Sequence, residues 1–257
     1  MAVNRKIKYL LKFLIVISSI LICTAAVWLY YQYRMMQRSE NTFYKAFGIT
    51  IPTKYKINGI DVSKHQGYIY WASIKKMKID SITIDFAFMK ATEGVKYVDG
   101  MFKRNWELAK QNNIPRGAYL FFIATKDGKQ QANNFIKNVK LEKGDLPPVI
   151  DIEENYEINK ITLNKRLNDC IEALQTHYRV KPIIYSYVDF YNNNLGNKYD
   201  SFPLWIAHYT DSEKPHISRN WLFWQHNNSG SVNGITERVD FNVFNGDSLI
   251  FQNLLIK

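Results

Sequence analysis

Residues 13–33, FLIVISSILICTAAVWLYYQY, run for 21 positions without a charge. As a helix rising about 1.5 Å per residue, such a run spans roughly 30 Å, the thickness of a bilayer core. Trp28, Tyr30, Tyr31 and Tyr33 gather at its far end, as an interfacial aromatic belt does. Arg5, Lys6, Lys8 and Lys12 precede the run, and Arg34 and Arg38 follow it, which favours an N-terminus inside and the bulk of the chain outside. The segment reads as a transmembrane signal-anchor in contact with the lipid bilayer. Residues 1–12 then form a basic cytoplasmic tail. Residues 34–56, with mixed charges and no sustained apolar period, read as a linker. A cleaved signal peptide is the competing reading. Thr24, Ala25 and Ala26 offer small residues to a peptidase, but the apolar run is long for a signal core. Anchored, the remaining chain works outside the cytoplasm, periplasmic or at the cell surface; cleaved, it is secreted.

That division changes the meaning of the net charge of +11. Residues 1–56 hold nine Lys and Arg against a single acid, Glu40, whereas residues 57–257 carry only +3. The basicity belongs to the N-terminal segment and argues for a membrane, not for a nucleic-acid face. No P-loop or RNA-binding signature occurs, and no nucleic-acid partner is expected. Two cysteines exclude a disulfide framework and a cysteine-rich metal cage. None of the five His sits in an HExxH-like pair, so zinc hydrolysis is disfavoured, and no cofactor is expected. Cys170 reads as a buried helix residue.

Residues 57–257 alternate short apolar runs with helix-like stretches. Strands are expected at Ile57–Val62, 82–90, 117–123, 148–152 and 182–187. Helices are expected between them at 71–78, 102–112, 129–139 and 162–178, where apolar residues recur three or four apart. Repeated strand–helix units imply parallel strands with helices packed outside. After residue 187 the pattern shortens: 204–209, 221–226 and 240–244 read as strands with little room for helices between them. Eight strands in about 200 residues, with fewer than eight helices, fit an α/β chain closed as an irregular (β/α) barrel.

Four carboxylates recur at the ends of these strands: Asp61, then Asp151 and Glu153 in Val-Ile-Asp-Ile-Glu, then Asp240. A carboxylate in an apolar strand is costly unless something pairs with it or uses it. At the C-terminal mouth of a parallel barrel such residues share one cleft. Positions i and i+2 on a strand face the same side, roughly 6.5–7 Å apart. Two carboxylates so placed repel when both are ionised, which holds a proton to higher pH, as a general acid requires. Paired carboxylates of this kind perform glycoside hydrolysis. The same acids could instead form salt bridges or bind Ca²⁺ or Mg²⁺.

Tyr119, Tyr185, Trp205, Tyr209 and Trp224 lie on or just past the same strand ends, where flat rings stack on sugar faces. Phe121 and Tyr187 are read as ordinary wall residues. His65 reads as a hydrogen-bonded structural histidine, and Lys90 and Glu93 as a structural pair at a strand end.

The stretch Gly59-Ile60-Asp61-Val62-Ser63-Lys64-His65-Gln66-Gly67 resembles the opening motif of the glycoside hydrolase family 25 lysozymes. Lys90-Ala91-Thr92-Glu93-Gly94, Gly117-Ala118-Tyr119, Asp151-Ile152-Glu153, Leu204-Trp205-Ile206-Ala207, Trp224-Gln225 and Val239-Asp240-Phe241-Asn242 resemble later motifs of that family in the same order. The resemblance runs from residue 57 to about 247, so residues 57–257 are expected to be the catalytic barrel. It implies 1,4-β-N-acetylmuramidase activity on the glycan strands of peptidoglycan. Glu153 would be the acid that protonates the leaving oxygen, and Asp61, Asp151 and Asp240 would complete the cleft. Tyr119, Tyr185, Trp205, Tyr209 and Gln225 would bind substrate, with no metal. A monomer is expected. A barrel that holds wall glycan without cutting it, or a hydrolase of another N-acetylated glycan, are the alternative readings. The stretch 80–85 is a few residues longer than the usual entry to the second strand, which puts that strand's register in question.

Overall fold

The computed structural model describes residues 5–37, 41–209 and 213–257, with the side chains of residues 5, 6 and 34–37 left outside the description. The flanking charges Arg5, Lys6, Arg34 and Arg38 therefore lie outside the described side chains. Two compact units are present, Met1–Thr42 and Phe43–Lys257.

The first unit is one helix, α1 (Arg5–Gln37). Its stretch Ile7–Tyr33 is long and apolar enough to cross a membrane, and its apolar side chains are exposed. Its serine and threonine hydroxyls fold back on their own backbone. Ser18 Oγ and Ser19 Oγ donate to the Ile15 carbonyl at 2.9 and 2.8 Å, and Thr24 Oγ1 donates to Leu21 at 2.9 Å. A helix surrounded by apolar medium needs its polar groups satisfied internally in this way.

The second unit is a closed eight-stranded barrel. Its strands are β1 (Ile57–Val62), β2 (Phe86–Glu93), β3 (Arg116–Phe121), β4 (Val149–Asp151), β5 (Ile183–Tyr187), β6 (Leu204–Ala207), β7 (Phe223–Gly230) and β8 (Val239–Phe244). Each of the eight falls on a run expected from sequence. Neighbours from β1 through β7 pair in parallel; β8 runs antiparallel to both β7 and β1 and closes the ring. Helices α2 (Trp71–Lys76), α3 (Phe102–Gln111), α4 (Gly128–Asn138) and α5 (Lys160–Tyr178) cover the parallel half. A short helical passage, residues 188–199, follows β5, and α6 (Ser248–Leu254) ends the chain. No helix links β6 to β7 or β7 to β8 among the described residues. The doubtful entry to β2 is a small turn at residues 78–83, with Asp80 at φ 52°, and β2 keeps register with β1 through Asp61 opposite Phe88.

Alternation along the strands makes two cores. Inward residues such as Phe86, Phe88, Val149, Ile183, Trp205, Phe223 and Phe244 fill the barrel, and Phe251 of α6 packs with them. Outward residues such as Ile60, Met89, Leu120, Ile150 and Ile206 meet the helices. Space inside is tight. A Cβ on Gly59 would sit 2.4 Å from the Phe86 ring, and one on Gly117 would sit 2.4 Å from Phe88, so both strands need glycine for those rings to fit.

The expected linker is shorter than its expected span. Phe47, Ile49 and Ile51 are buried at 0–3% exposure in the outer core, and Ile49–Pro52 is a strand. The Ser231 amide donates to the Phe47 carbonyl at 2.8 Å, and the Phe47 ring meets Phe241 edge-on at 5.3 Å. The cause is a three-member alternation, Phe47-Gly48-Ile49-Thr50-Ile51, too short to register as a sustained period yet sufficient to bury one face of a strand.

Candidate active site

Parallel strands β1 to β7 all end at one mouth, and β8 begins there. The last residues of each therefore meet over the inner core. A cavity of about 320 Å³ opens at this mouth. Its lining includes all nine residues expected at the site: Asp61, Asp151, Glu153, Asp240, Tyr119, Tyr185, Trp205, Tyr209 and Gln225. Sequence separations of up to 179 positions are closed by strand pairing: Asp61 lies directly opposite Asp240, and Asp151 lies opposite both Phe121 and Tyr185.

A hub of amides holds the acids. Gln225 Nε2 and Asn242 Nδ2 both donate to Asp61 Oδ2, at 2.8 and 2.7 Å. Gln225 Oε1 accepts from the hydroxyls of Tyr185 and Tyr209. Trp205 Nε1 donates to Asn242 Oδ1 at 2.7 Å. Asn242 is a member that the sequence reading quoted in a motif without giving it a place at the site; alternation from Asp240 along β8 was the available signal.

Burial then sets the protons. It pushes Asp61 up to about 6 against the pull of its two amide donors. Burial, with the Asp61 charge beside it, pushes Asp240 up to about 9. The two carboxyls are hydrogen-bonded to each other and share a proton at neutral pH. Asp151 is raised well above the carboxylate range by burial and by the charge of Glu153. Glu153 is also raised by burial, against hydrogen bonding to Tyr185 and the charge of Lys90. All four carboxyls are shifted toward their protonated forms, and a cavity that retains a proton in this way can donate one to a bound oxygen.

Asp151 Oδ1 is buried and has no hydrogen-bond partner among the described residues. Buried acceptors are normally satisfied, so an orphan facing a cavity is a place for a donor carried by a ligand.

Lys90 lines the same cavity and is its only Lys or Arg among the described residues. Its Nζ sits 2.6 Å from Glu93 Oε2 and 4.7 Å from the centre of the Phe121 ring. The pair expected at this strand end is present, and its cation faces the acids. A break in register between Lys90 and Thr92 marks a bulge in β2 at this point. Bulges beside active sites re-aim side chains.

The remaining expectations fall as follows. Trp205 is the floor of the cavity: it is 2% exposed and stacks on Phe88 at 4.4 Å and 22°. Tyr119 meets Trp205 edge-on at 6.3 Å. Trp224 points the other way, into the outer core, with Nε1 donating to the His208 carbonyl at 2.8 Å. Phe121 and Tyr187, expected as wall residues, are different: Phe121 lines the cavity under Lys90, and Tyr187 is 41% exposed beside it. His65 is exposed at the rim, on a turn that Ser63 and Gln66 cap reciprocally. Cys170 is fully buried in α5, as expected.

Barrel and mouth together define a glycoside hydrolase. The family described as glycosyl hydrolases family 25 matches residues 60–235. Lysozyme M1 of Streptomyces globisporus is 33% identical over 207 residues, covering 75% of this chain and 69% of that protein. The uncharacterized protein YegX of Escherichia coli strain K12 is 43% identical over 202 residues, covering 79% of this chain and 74% of YegX. Among solved structures, a family 25 glycosyl hydrolase from Bacillus anthracis superposes with TM-score 0.73 at 35% identity, covering 79% of this chain and 95% of that one. The bacterial lysozyme of Streptomyces coelicolor follows at TM-score 0.71 and 33% identity, covering 77% and 96%. The chain belongs to glycosyl hydrolase family 25.

Proposed function

We propose that this protein is a membrane-anchored lysozyme that hydrolyses the β-1,4 bond between N-acetylmuramic acid and N-acetylglucosamine in peptidoglycan. The observation that carries this reading is the gathering of Asp61, Asp151, Glu153 and Asp240 around one cavity. Relatives described as lysozymes support the substrate class. Glu153 is the general acid. Burial favours its protonated form, and its place just past the end of β4 sets it at the rim, where a glycosidic oxygen can be reached.

Asp151 works one strand repeat below. Its orphan Oδ1 accepts the N–H of the substrate's acetamido group, which turns the amide oxygen toward the anomeric carbon. The leaving oxygen takes the Glu153 proton as the amide oxygen closes on that carbon. Glu153, now a carboxylate, draws a proton from water as water opens the cyclic intermediate. Asp61 and Asp240 hold the developing positive charge from the opposite wall. The sequence of two displacements retains the anomeric configuration. The helix Arg5–Gln37 serves as the anchor, the barrel acts outside the cytoplasm, and the protein works as a monomer.

Glu153→Gln tests the reading. The swap keeps shape and removes the acid proton, so turnover of purified walls should fall by at least a thousandfold while circular dichroism and glycan binding stay unchanged. Near-normal lysis by this variant would remove Glu153 from its role. Mass spectrometry of the released muropeptides should show muramic acid at the new reducing ends; N-acetylglucosamine there would overturn the bond assignment.

A further inference from the structure

The end of the barrel opposite the acids is closed by α6. The Phe251 ring packs 5.8 Å from Phe86, which opens β2, and 5.1 Å from Phe244, which ends β8. Those two rings mark the floor, so α6 lies across it. With Phe251 turned inward, Leu249 is left 69% exposed and Ile250 49% exposed. Neither belongs to the inner or the outer core. Two adjacent large apolar side chains on the outer face of a closing helix leave an apolar patch turned to the surroundings.

Lysines flank the patch. A cavity of about 430 Å³ beside the start of α6 has Lys54, Lys56, Asp247 and Ser248 in its lining. Another, about 310 Å³, lies between the last turns of α4 and α5 and the end of the chain, and sets Lys140 beside Ile136, Val139, Leu141 and Ile256. Lys257 Nζ donates to the Gln252 carbonyl of α6 at 2.9 Å. The acids of the same segments are engaged within the protein. Asp247 accepts the Ile250 amide at 2.8 Å, Asp145 accepts from buried Arg116 at 2.7 Å, and Glu142 pairs with Lys110. The floor thus presents aliphatic side chains bordered by lysines, whose stems lie along apolar surface while their ammonium groups reach outward.

The chain also enters the barrel unit from this side. The strand Ile49–Pro52 descends from Phe47, held by the Ser231 amide at the mouth, toward Tyr55, whose ring meets Trp221 edge-on at 5.4 Å just before β7 begins. Phe43 and Tyr44 precede it through a tight turn, closed by the Gly48 amide on the Tyr44 carbonyl at 2.8 Å, so the chain reaches that turn from the floor side. We infer that the floor is a docking face for an anionic phospholipid bilayer, with Leu249 and Ile250 entering the interface and Lys54, Lys56, Lys140 and Lys257 meeting the phosphates. The inference rests on residues 13–33 crossing that bilayer. Charge selects the occupant: a neutral apolar partner leaves the lysines unanswered, whereas a phosphate surface pairs with them and takes up the aliphatic residues at the same time. Docked on its floor, the barrel holds the acid mouth away from the lipid and open to glycan.

Hydrogen–deuterium exchange, read by mass spectrometry on the full chain in lipid nanodiscs, tests the docking. Amides of residues 248–257 should exchange about fivefold more slowly in phosphatidylglycerol discs than in phosphatidylcholine discs. Leu249→Ser should cut that difference to less than about twofold, and so should Lys54→Gln combined with Lys56→Gln, which leaves α6 itself untouched. In detergent the variants should exchange like the parent, which separates lost docking from a loosened helix. Equal exchange in the two lipids, or a slowdown that survives both sets of substitutions, would overturn the docking. Protection that appears in detergent as protein concentration rises would assign the face to a second copy of the chain and overturn it too. Chain recovered outside the discs would overturn the anchor reading, and the docking with it; chain held in the discs with an undocked floor would overturn the docking alone.

Discussion

Gln225 organises its neighbours through both ends of its side-chain amide: an N–H fixes Asp61 and the carbonyl gathers two tyrosine hydroxyls. Lys90 organises by charge instead. Among the described residues it is the one Lys or Arg lining the acid cavity, and its positive field holds both Asp151 and Glu153 below the values that burial alone would impose. Removing that field lets both carboxyls keep their protons longer. With Glu153 as the proposed general acid, Lys90→Met should therefore move the alkaline limb of the kcat/KM profile to higher pH, because loss of the Glu153 proton would set that limb. Lys90→Arg should return it. A lower kcat with an unmoved limb would mean that Lys90 matters only through its contacts with Glu93 and Phe121.

Strands were the most legible elements, because each barrel strand here is a compact apolar run with a carboxylate, amide or aromatic residue at its mouth end. Val149-Ile150-Asp151 shows why: three buried residues suffice for a strand when both faces are covered. The four carboxylates were legible for the same reason, since a charge in such a run demands an explanation. What the residues alone did not disclose is which aromatic rings face the mouth. Tyr187 lies in phase with Tyr185, but whether a position that far along a strand is still covered depends on its neighbour, and Ala207 is too small to cover it. The closing helix α6 went unseen because its short stretch commits few residues to the inner core, Phe251 and Leu254, with Leu255 just beyond it.

The N-terminal strand Ile49–Pro52 was missed as well, and it carries a prediction. Phe47, Ile49 and Ile51 bury their side chains against the outer core, at ~1.5–3 kcal/mol each. A soluble chain beginning at residue 57 should unfold at least 10 °C below one beginning at residue 41, by calorimetry in the same buffer. Equal melting temperatures would mean that the segment adds no net stability.

At the scale of the whole molecule, the acid cluster burdens the fold. Carboxyls whose folded values rise above the ordinary 3.8 contribute stability in their protonated form, which is complete below pH 3.8. That contribution is lost as pH climbs through about 6 for Asp61 and about 9 for Asp240. The barrel should accordingly lose stability between pH 5 and pH 9. Asp240→Asn, which never ionises, should flatten that slope while abolishing the shared proton. Denaturant midpoints at pH 5, 7 and 9 measure it; parallel slopes in the two proteins would contradict the raised value.

The reversed direction of β8 has an architectural corollary. In a wholly parallel barrel the connection entering the eighth strand would pass beneath the floor, remote from any chemistry. Here residues 231–238 cross at the open end instead, where the Arg238 carbonyl already receives Gln66 Nε2 at 3.0 Å. Val232 and Ile235 root that crossover in the outer core, so lengthening it on the Arg238 side would redraw the outline of the entrance while leaving the eight barrel strands in place. It is the most economical place for this architecture to change which decorated polymers gain admission.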